Sequence, residues 1–232
     1  MIFLVFGVTL VISLLAQWRV KRVYQQFSDV PGRGGYSGAE VASAMLRQAG
    51  IHDVEIVSQE GMLGDHYDPT NKRLVLSNEN YSGTSLAAIG VAAHEAGHAL
   101  QHQAAYAPLH LRMGAVTATN FASQIVSIIP LIGMFTHVIS PYTGLLIMSL
   151  GWGVIMAFNL VTLPVEFDAS RRAKISLSRM GFVMDATESA GVARVLNAAA
   201  MTYVAAFVTS AVYFLWYLLP LLTGSRHSDS RD

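Results

Sequence analysis

The chain has no cysteine among its 232 residues, which excludes disulfide bonds, a thiol nucleophile and Cys-ligated zinc. Charge is scarce too. Asp, Glu, Lys and Arg make up 13% of the residues, about half the share in ordinary soluble domains, and the two signs cancel to a formal net charge of zero. With no basic stripe and no interleaved aromatics, this composition gives no footing for a nucleic-acid partner. Apolar residues fill the place of the missing charge, at 53% of the chain, and they are concentrated in long runs.

Ile2 to Trp18 carries no charge and is just long enough to span a bilayer. Met113 to Val165 has no Asp, Glu, Lys or Arg, which is room for two spans and a short turn, and Val195 to Thr223 is a further uncharged run. The expectation is a mainly α membrane protein with four transmembrane helices and a small cytoplasmic α+β lobe. The expected segments are an anchor over 1–18, a lobe over 19–112, a transmembrane hairpin over 113–165, a cytoplasmic segment over 166–194, a fourth span over 195–223 and a tail over 224–232. Basic residues set the orientation. Arg19, Lys21 and Arg22 follow the first run, and Arg171, Arg172, Lys174, Arg179 and Arg194 lie between the third and fourth, whereas the turn "MFTHVISPYTG" has none. Both basic regions are expected to face the cytoplasm and both termini the outside of the cell membrane. The first run lacks a basic flank before it and a convincing cleavage site, so it reads as a retained anchor rather than a signal peptide.

The lobe carries the chemistry. "VAAHEAGHALQHQ", residues 91 to 103, contains HEAGH. On a helix His94 and His98 lie about 40° apart on one face, close enough for both imidazoles to reach one ion. Glu95 sits roughly 100° round from His94, in the place of a general base rather than a ligand. Ser85 or Thr84 can cap this helix, and the alanine-rich run from Leu86 to Leu100 has no proline to break it. Two His and one Glu inside a span would be costly, which puts HEAGH at or just below the cytoplasmic surface. Upstream, "SGAEVASAMLRQAGI" predicts a short amphipathic helix, "VEIVS" a strand, and "DHYDPTNKRLVLS" a turn at Asp68 to Asn71 feeding a strand from Lys72 to Ser77. That second strand, with Lys72, Leu74 and Leu76, is a candidate for pairing with an extended substrate.

A catalytic zinc needs a third protein ligand and an open position. Six residues after His98, where another zinc-peptidase pattern would supply a histidine, stands Ala104. His102 cannot bend back to an ion held by His94 and His98, and reads as a helix-end residue or a hydrogen-bonding support. Glu166, in "LVTLPVEFDASRRAK", stands where the expected hairpin returns to the cytoplasmic side. His94, His98 and Glu166 then complete the set, with one zinc ion per chain.

"HYDPTNKRLVLS", "AAHEAGHALQH" and "LPVEFDASRRA", in this order and among these hydrophobic segments, resemble the bacterial neutral zinc metallopeptidase family of YugP type along nearly the whole chain. The resemblance implies a zincin-like lobe, zinc on His94, His98 and Glu166, and Glu95 as catalytic acid and base. The arrangement is also similar to the wider HtpX and CAAX prenyl protease class. That class typically has an Asp four residues after the glutamate ligand, orienting a metal-binding His. Here that position is Ser170, while Asp168 lies about 200° round the helix from Glu166 and reads as a partner for the following basic residues.

The expected function is a zinc-dependent membrane endopeptidase with a cytoplasmic active site, acting on peptides or membrane proteins. Candidate oxyanion donors or supporting residues are His66, Tyr67, Ser170, Arg171 and Arg172. Two other readings stand beside it: a non-catalytic membrane scaffold with a structural metal, and a site-2-type intramembrane protease, which would take an Asp ligand from an LDG-like motif that this chain lacks. Lipid is an expected partner, and an oligomer or membrane scaffold protein is compatible with the sequence.

Overall fold

The computed structural model describes residues 2–61, 64–136 and 138–224. The tail "SRHSDSRD", expected outside the cell, and His137 of the expected turn lie outside the described residues. The chain is mainly helical, in the order α1 (Ile2–Ser28), α2 (Gly38–Gln48), β1 (Glu55–Gln59), β2 (His66–Asp68), β3 (Arg73–Ser77), α3 (Asn78–Ser82), α4 (Leu86–Gln103), α5 (Ala107–Thr136), α6 (Pro141–Arg179) and α7 (Ala186–Gly224). Among the described residues, three helices are long and apolar enough to cross a membrane: Phe3–Ser28, Pro141–Arg179 and Ala186–Thr223. Several helices outrun the uncharged stretches that announce them. α1 continues past Trp18 to Ser28, and α7 begins before Val195, because charged residues of good helix propensity end a hydrophobic run without ending a helix.

The chain divides into two compact units. One comprises residues 1–13, 111–162 and 203–232. Within it Trp152 stacks on Tyr213, with ring centroids 4.5 Å apart and planes 19° from parallel. Thr9 Oγ1 donates to the Tyr213 hydroxyl at 3.2 Å, and Asn159 Nδ2 donates to Ser210 Oγ at 3.0 Å. These polar groups turn inward while Phe3, Leu4, Phe121 and Leu150 are exposed. Polar-in and apolar-out is the reverse of a water-soluble helix bundle and suits a lipid surround.

The other unit comprises residues 14–110 and 163–202. Helices α2, α3 and α4 start at serine caps. Ser37 accepts from Glu40 N while the Glu40 side chain accepts from Ser37 N, a reciprocal capping box, and Ser85 accepts from Ala88 N. The glycine-rich stretch before α2 is pinned rather than loose: Gly32 N donates to the Thr84 carbonyl and Leu86 N to the Val30 carbonyl, both at 2.9 Å. The three-stranded sheet has the order β1-β3-β2, with β1 parallel and β2 antiparallel to β3. Its apolar face meets α2 and α4 in a core that includes Val41, Met45, Leu74, Leu76, Leu86, Ile89, Ala92, Ala93, Leu177 and Val192.

This topology corrects the reading of Lys72 to Ser77 as a strand that a substrate could join. β3 is the inner strand, bonded on both sides, and Leu74 and Leu76 are fully buried. Lys72 lies before the strand at φ +49°, paired with Asp53. The loss of a free edge follows from the parallel pairing of β1, a contact that local pattern does not reveal.

Candidate metal centre

α4 places His94 and His98 on one face through their four-residue spacing, with ring centroids 4.8 Å apart and planes at 83°. α6 runs across that face and delivers Glu166. Its Oε2 lies 3.2 Å from His94 Nε2 and 3.7 Å from His98 Nε2. One ligand atom from each of the three residues falls within 4.8 Å of the others. Four-coordinate zinc with bonds near 2.0–2.1 Å separates its ligand atoms by about 3.3 Å, which the 3.2 Å gap matches and the 3.7 Å gap approaches.

The backbones are close enough for this because α4 has no side chain at the crossing. A Cβ on Gly97 would stand 2.7 Å from the Ala169 carbonyl oxygen of α6. Alanines on α4, Ala92, Ala93 and Ala96 among them, are fully buried. Small residues at a helix crossing allow close approach, and here they bring a carboxylate into reach of two imidazoles.

Each imidazole is held at its far nitrogen. His98 Nδ1 is 3.0 Å from Gln101 Oε1, and His94 Nδ1 is 3.1 Å from Ser170 Oγ. Both Nε2 atoms point to the shared space, as expected of histidines presented to a metal. Burial opposes a charge on His98, but the Glu166 carboxylate 3.7 Å from its Nε2 and the nearby Glu95 charge outweigh that penalty and raise its pKa above the ordinary histidine value. Two neutral imidazoles and one carboxylate, buried and converging, fit the donor chemistry of zinc. Glu95, one residue from His94, is buried at 8% exposure beside the group.

A family model described as "Putative neutral zinc metallopeptidase" matches residues 2–223. The chain belongs to this family. It is also 41% identical over 218 residues to "Putative membrane protease YugP" of Bacillus subtilis (strain 168), covering 92% of this chain and 93% of that protein. No solved structure matches.

Within this family member the remaining sequence candidates fall into separate places. Ser170, 4% exposed, is at the centre through His94. Tyr67 is not: its hydroxyl pairs with His102 Nδ1 at 2.9 Å. This pairing places His102 at the end of α4 and gives it a partner other than the metal ligands. His66 is exposed, with Nδ1 bonded to the Gly64 carbonyl at 2.8 Å. Arg171 and Arg172 both pair with Asp168, Arg172 Nε at 2.6 Å, and the Arg172 guanidinium lies 5.9 Å from the Tyr106 ring centroid. Asp168 thus has the basic partners expected of it.

It also has one that sequence reasoning missed. Gln101, fully buried, donates through Nε2 to Asp168 Oδ2 at 3.0 Å and to the Val165 carbonyl at 2.7 Å. Gln101 lies three residues after His98, one turn along the same helix, and that spacing was the available signal.

Proposed function

We propose that this chain is a zinc-dependent, multi-pass membrane endopeptidase whose site faces the cytoplasm. The observation that carries the proposal is the convergence of His94 Nε2, His98 Nε2 and Glu166 Oε2, with both Nδ1 atoms occupied behind them. His94, His98 and Glu166 would hold the metal. When bound, zinc supplies a Lewis acid that activates water and polarises a carbonyl. Glu95 acts as general base, takes a proton from the attacking water and passes it to the leaving amine. Glu166 contributes the one ligand charge, and the close α4–α6 crossing keeps it on the histidines.

With β3 inside the sheet, an extended substrate is left the outer strands. β2 is the better candidate, since the Tyr67–His102 bond lays it against α4. Pairing through main-chain groups would give little sequence selectivity. α5 has no charged residue after Arg112 and is proposed as the fourth span, beside the three helices already long and apolar enough. The scaffold reading with a structural metal is disfavoured by Glu95, because a structural site has no use for a base. The site-2-type reading is disfavoured by a glutamate, rather than an aspartate, as third donor.

The test is hydrolysis of casein or a quenched peptide by the detergent-purified chain. Cleavage that a chelator abolishes and added zinc restores is the expected result. Hydrolysis indifferent to chelation would contradict the proposal.

A further inference from the structure

We infer that Gln101 is a positioning residue that fixes the tautomer of His98, and that it does so because α6 locks its amide in one orientation. The inference rests on the metal-site reading above.

A glutamine amide has one oxygen, which accepts, and one NH2, which donates twice. The two groups from α6 that meet the Gln101 amide, the Val165 carbonyl at 2.7 Å and Asp168 Oδ2 at 3.0 Å, are both acceptors. Turning the amide over would set its oxygen against a carbonyl and a carboxylate oxygen at once, two repulsive acceptor–acceptor contacts in place of two hydrogen bonds. Gln101 is fully buried, so water cannot repair that arrangement. The NH2 must therefore face α6 and Oε1 must face His98.

Oε1 cannot donate, so the His98 Nδ1, 3.0 Å away, has to carry the hydrogen. In neutral imidazole this leaves Nε2 with the lone pair, and Nε2 is the atom 3.7 Å from Glu166 Oε2. Asp168 holds the far end of the chain. Arg171 and Arg172 pair with its two oxygens and hold it in place, so the sequence of contacts runs from the arginines through Asp168 and Gln101 to His98. His94 has no equivalent lock. Its partner, the Ser170 hydroxyl at 3.1 Å, can donate or accept and leaves either tautomer open. The two histidine ligands are therefore unequal: His98 is presented to the metal ready-made, while His94 selects its tautomer when the metal arrives.

The consequence is a separation between two roles of Gln101, accepting from His98 and tying α4 to α6. Gln101→Leu removes both. Gln101→Glu combined with Asp168→Asn keeps an acceptor for His98 Nδ1 and gives the second carboxylate oxygen an amide donor on α6 in place of the Asp168 acceptor. Zinc dissociation constants, measured by chelator competition on the full chain in detergent, read the difference, with circular dichroism to confirm the helical fold. Gln101→Leu is expected to weaken zinc about tenfold to a hundredfold, the range for a lost partner behind a metal-ligating histidine, and the double variant to stay within about threefold of the parent chain. If Gln101→Leu does not fold, the comparison of the double variant with the parent still decides. Equal zinc affinity in Gln101→Leu and the parent, or a double variant weakened tenfold or more, would overturn the positioning role. A parent chain that binds no zinc would instead overturn the metal-site reading beneath it.

Discussion

Gly97→Ala tests the α4–α6 crossing with a single added carbon. The new Cβ would meet the Ala169 carbonyl oxygen at 2.7 Å, its carbon at 3.2 Å and Cα at 3.3 Å. All three are backbone atoms of α6, so no flexible side chain can swing away. Restoring ordinary contact requires the helices to part by about 0.7 Å. Two effects then oppose each other in stability. Alanine is favoured over glycine inside a helix by about 0.8–1.0 kcal/mol, whereas overpacking a fitted contact costs about 1–3 kcal/mol. The net change in stability is a destabilisation of roughly 0–2 kcal/mol, too small to be diagnostic. Zinc is the sensitive reading. Glu166 and Ala169 share one helical turn of α6, and a metal ligand tolerates a displacement of about 0.2 Å, so a shift of 0.7 Å moves Glu166 out of bonding range of an ion held by His94 and His98. The expected outcome is zinc affinity lowered at least about tenfold with the fold retained, and a further loss in Gly97→Ser. Chelator competition and circular dichroism on both variants provide the measurement. A Gly97→Ala chain that binds zinc as the parent does would refute the claim that this glycine sets the distance.

Three further outcomes are expected. Ser170→Ala, which removes the hydroxyl 3.1 Å from His94 Nδ1, should weaken zinc by up to about tenfold, while Ser170→Asp should hold or tighten it by giving His94 an anionic acceptor; zinc titrations of both variants check this, and no change in either would detach Ser170 from the site. Because Glu166 and Glu95 raise the His98 pKa in the metal-free chain, zinc must displace a proton from it at low pH. Apparent zinc affinity should therefore fall steadily as pH is lowered from about 8 to 6, and a flat profile would count against His98 as a ligand. Single cysteines introduced into the cysteine-free chain at the exposed positions Gln48 and Ser178 should label from the same, cytoplasmic side of sealed vesicles; labelling from opposite sides would separate α4 from the end of α6 and break the three-residue site.

The site was legible where the chemistry is local. HEAGH declares both histidines because four-residue spacing on a helix leaves little freedom, and Ser85 and Ser37 mark where their helices begin. Glu166 was reachable because an uncharged run long enough for a hairpin must return its end to the side it left. Gln101 was not, since its partners Val165 and Asp168 are 64 and 67 residues away and only the helix crossing unites them. Gly97 gave no signal either, because its value lies in the Ala169 backbone that occupies the place of a side chain. Strand order failed for a related reason. The apolar run Leu74 to Leu76 reads as a buried strand, but whether it is inner or outer depends on β1 crossing to lie parallel beside it. Helix α3 escaped notice because five residues carry no period; it is fixed by Asn80, whose Nδ2 donates to Asp65 Oδ2 at 3.0 Å and whose Oδ1 accepts from the Tyr24 hydroxyl at 2.7 Å.

The central claim is that His94, His98 and Glu166 hold a catalytic zinc on which Glu95 does the proton transfer. Glu95→Gln tests it most directly, since it removes a base and no ligand. Zinc content and peptide hydrolysis are to be measured on the same purified sample, beside the parent and Glu166→Gln. The account predicts about one zinc per chain in Glu95→Gln with hydrolysis reduced by at least about a hundredfold, and loss of both metal and activity in Glu166→Gln. Parent-level hydrolysis by Glu95→Gln, or zinc lost from it together with activity, would contradict the assignment.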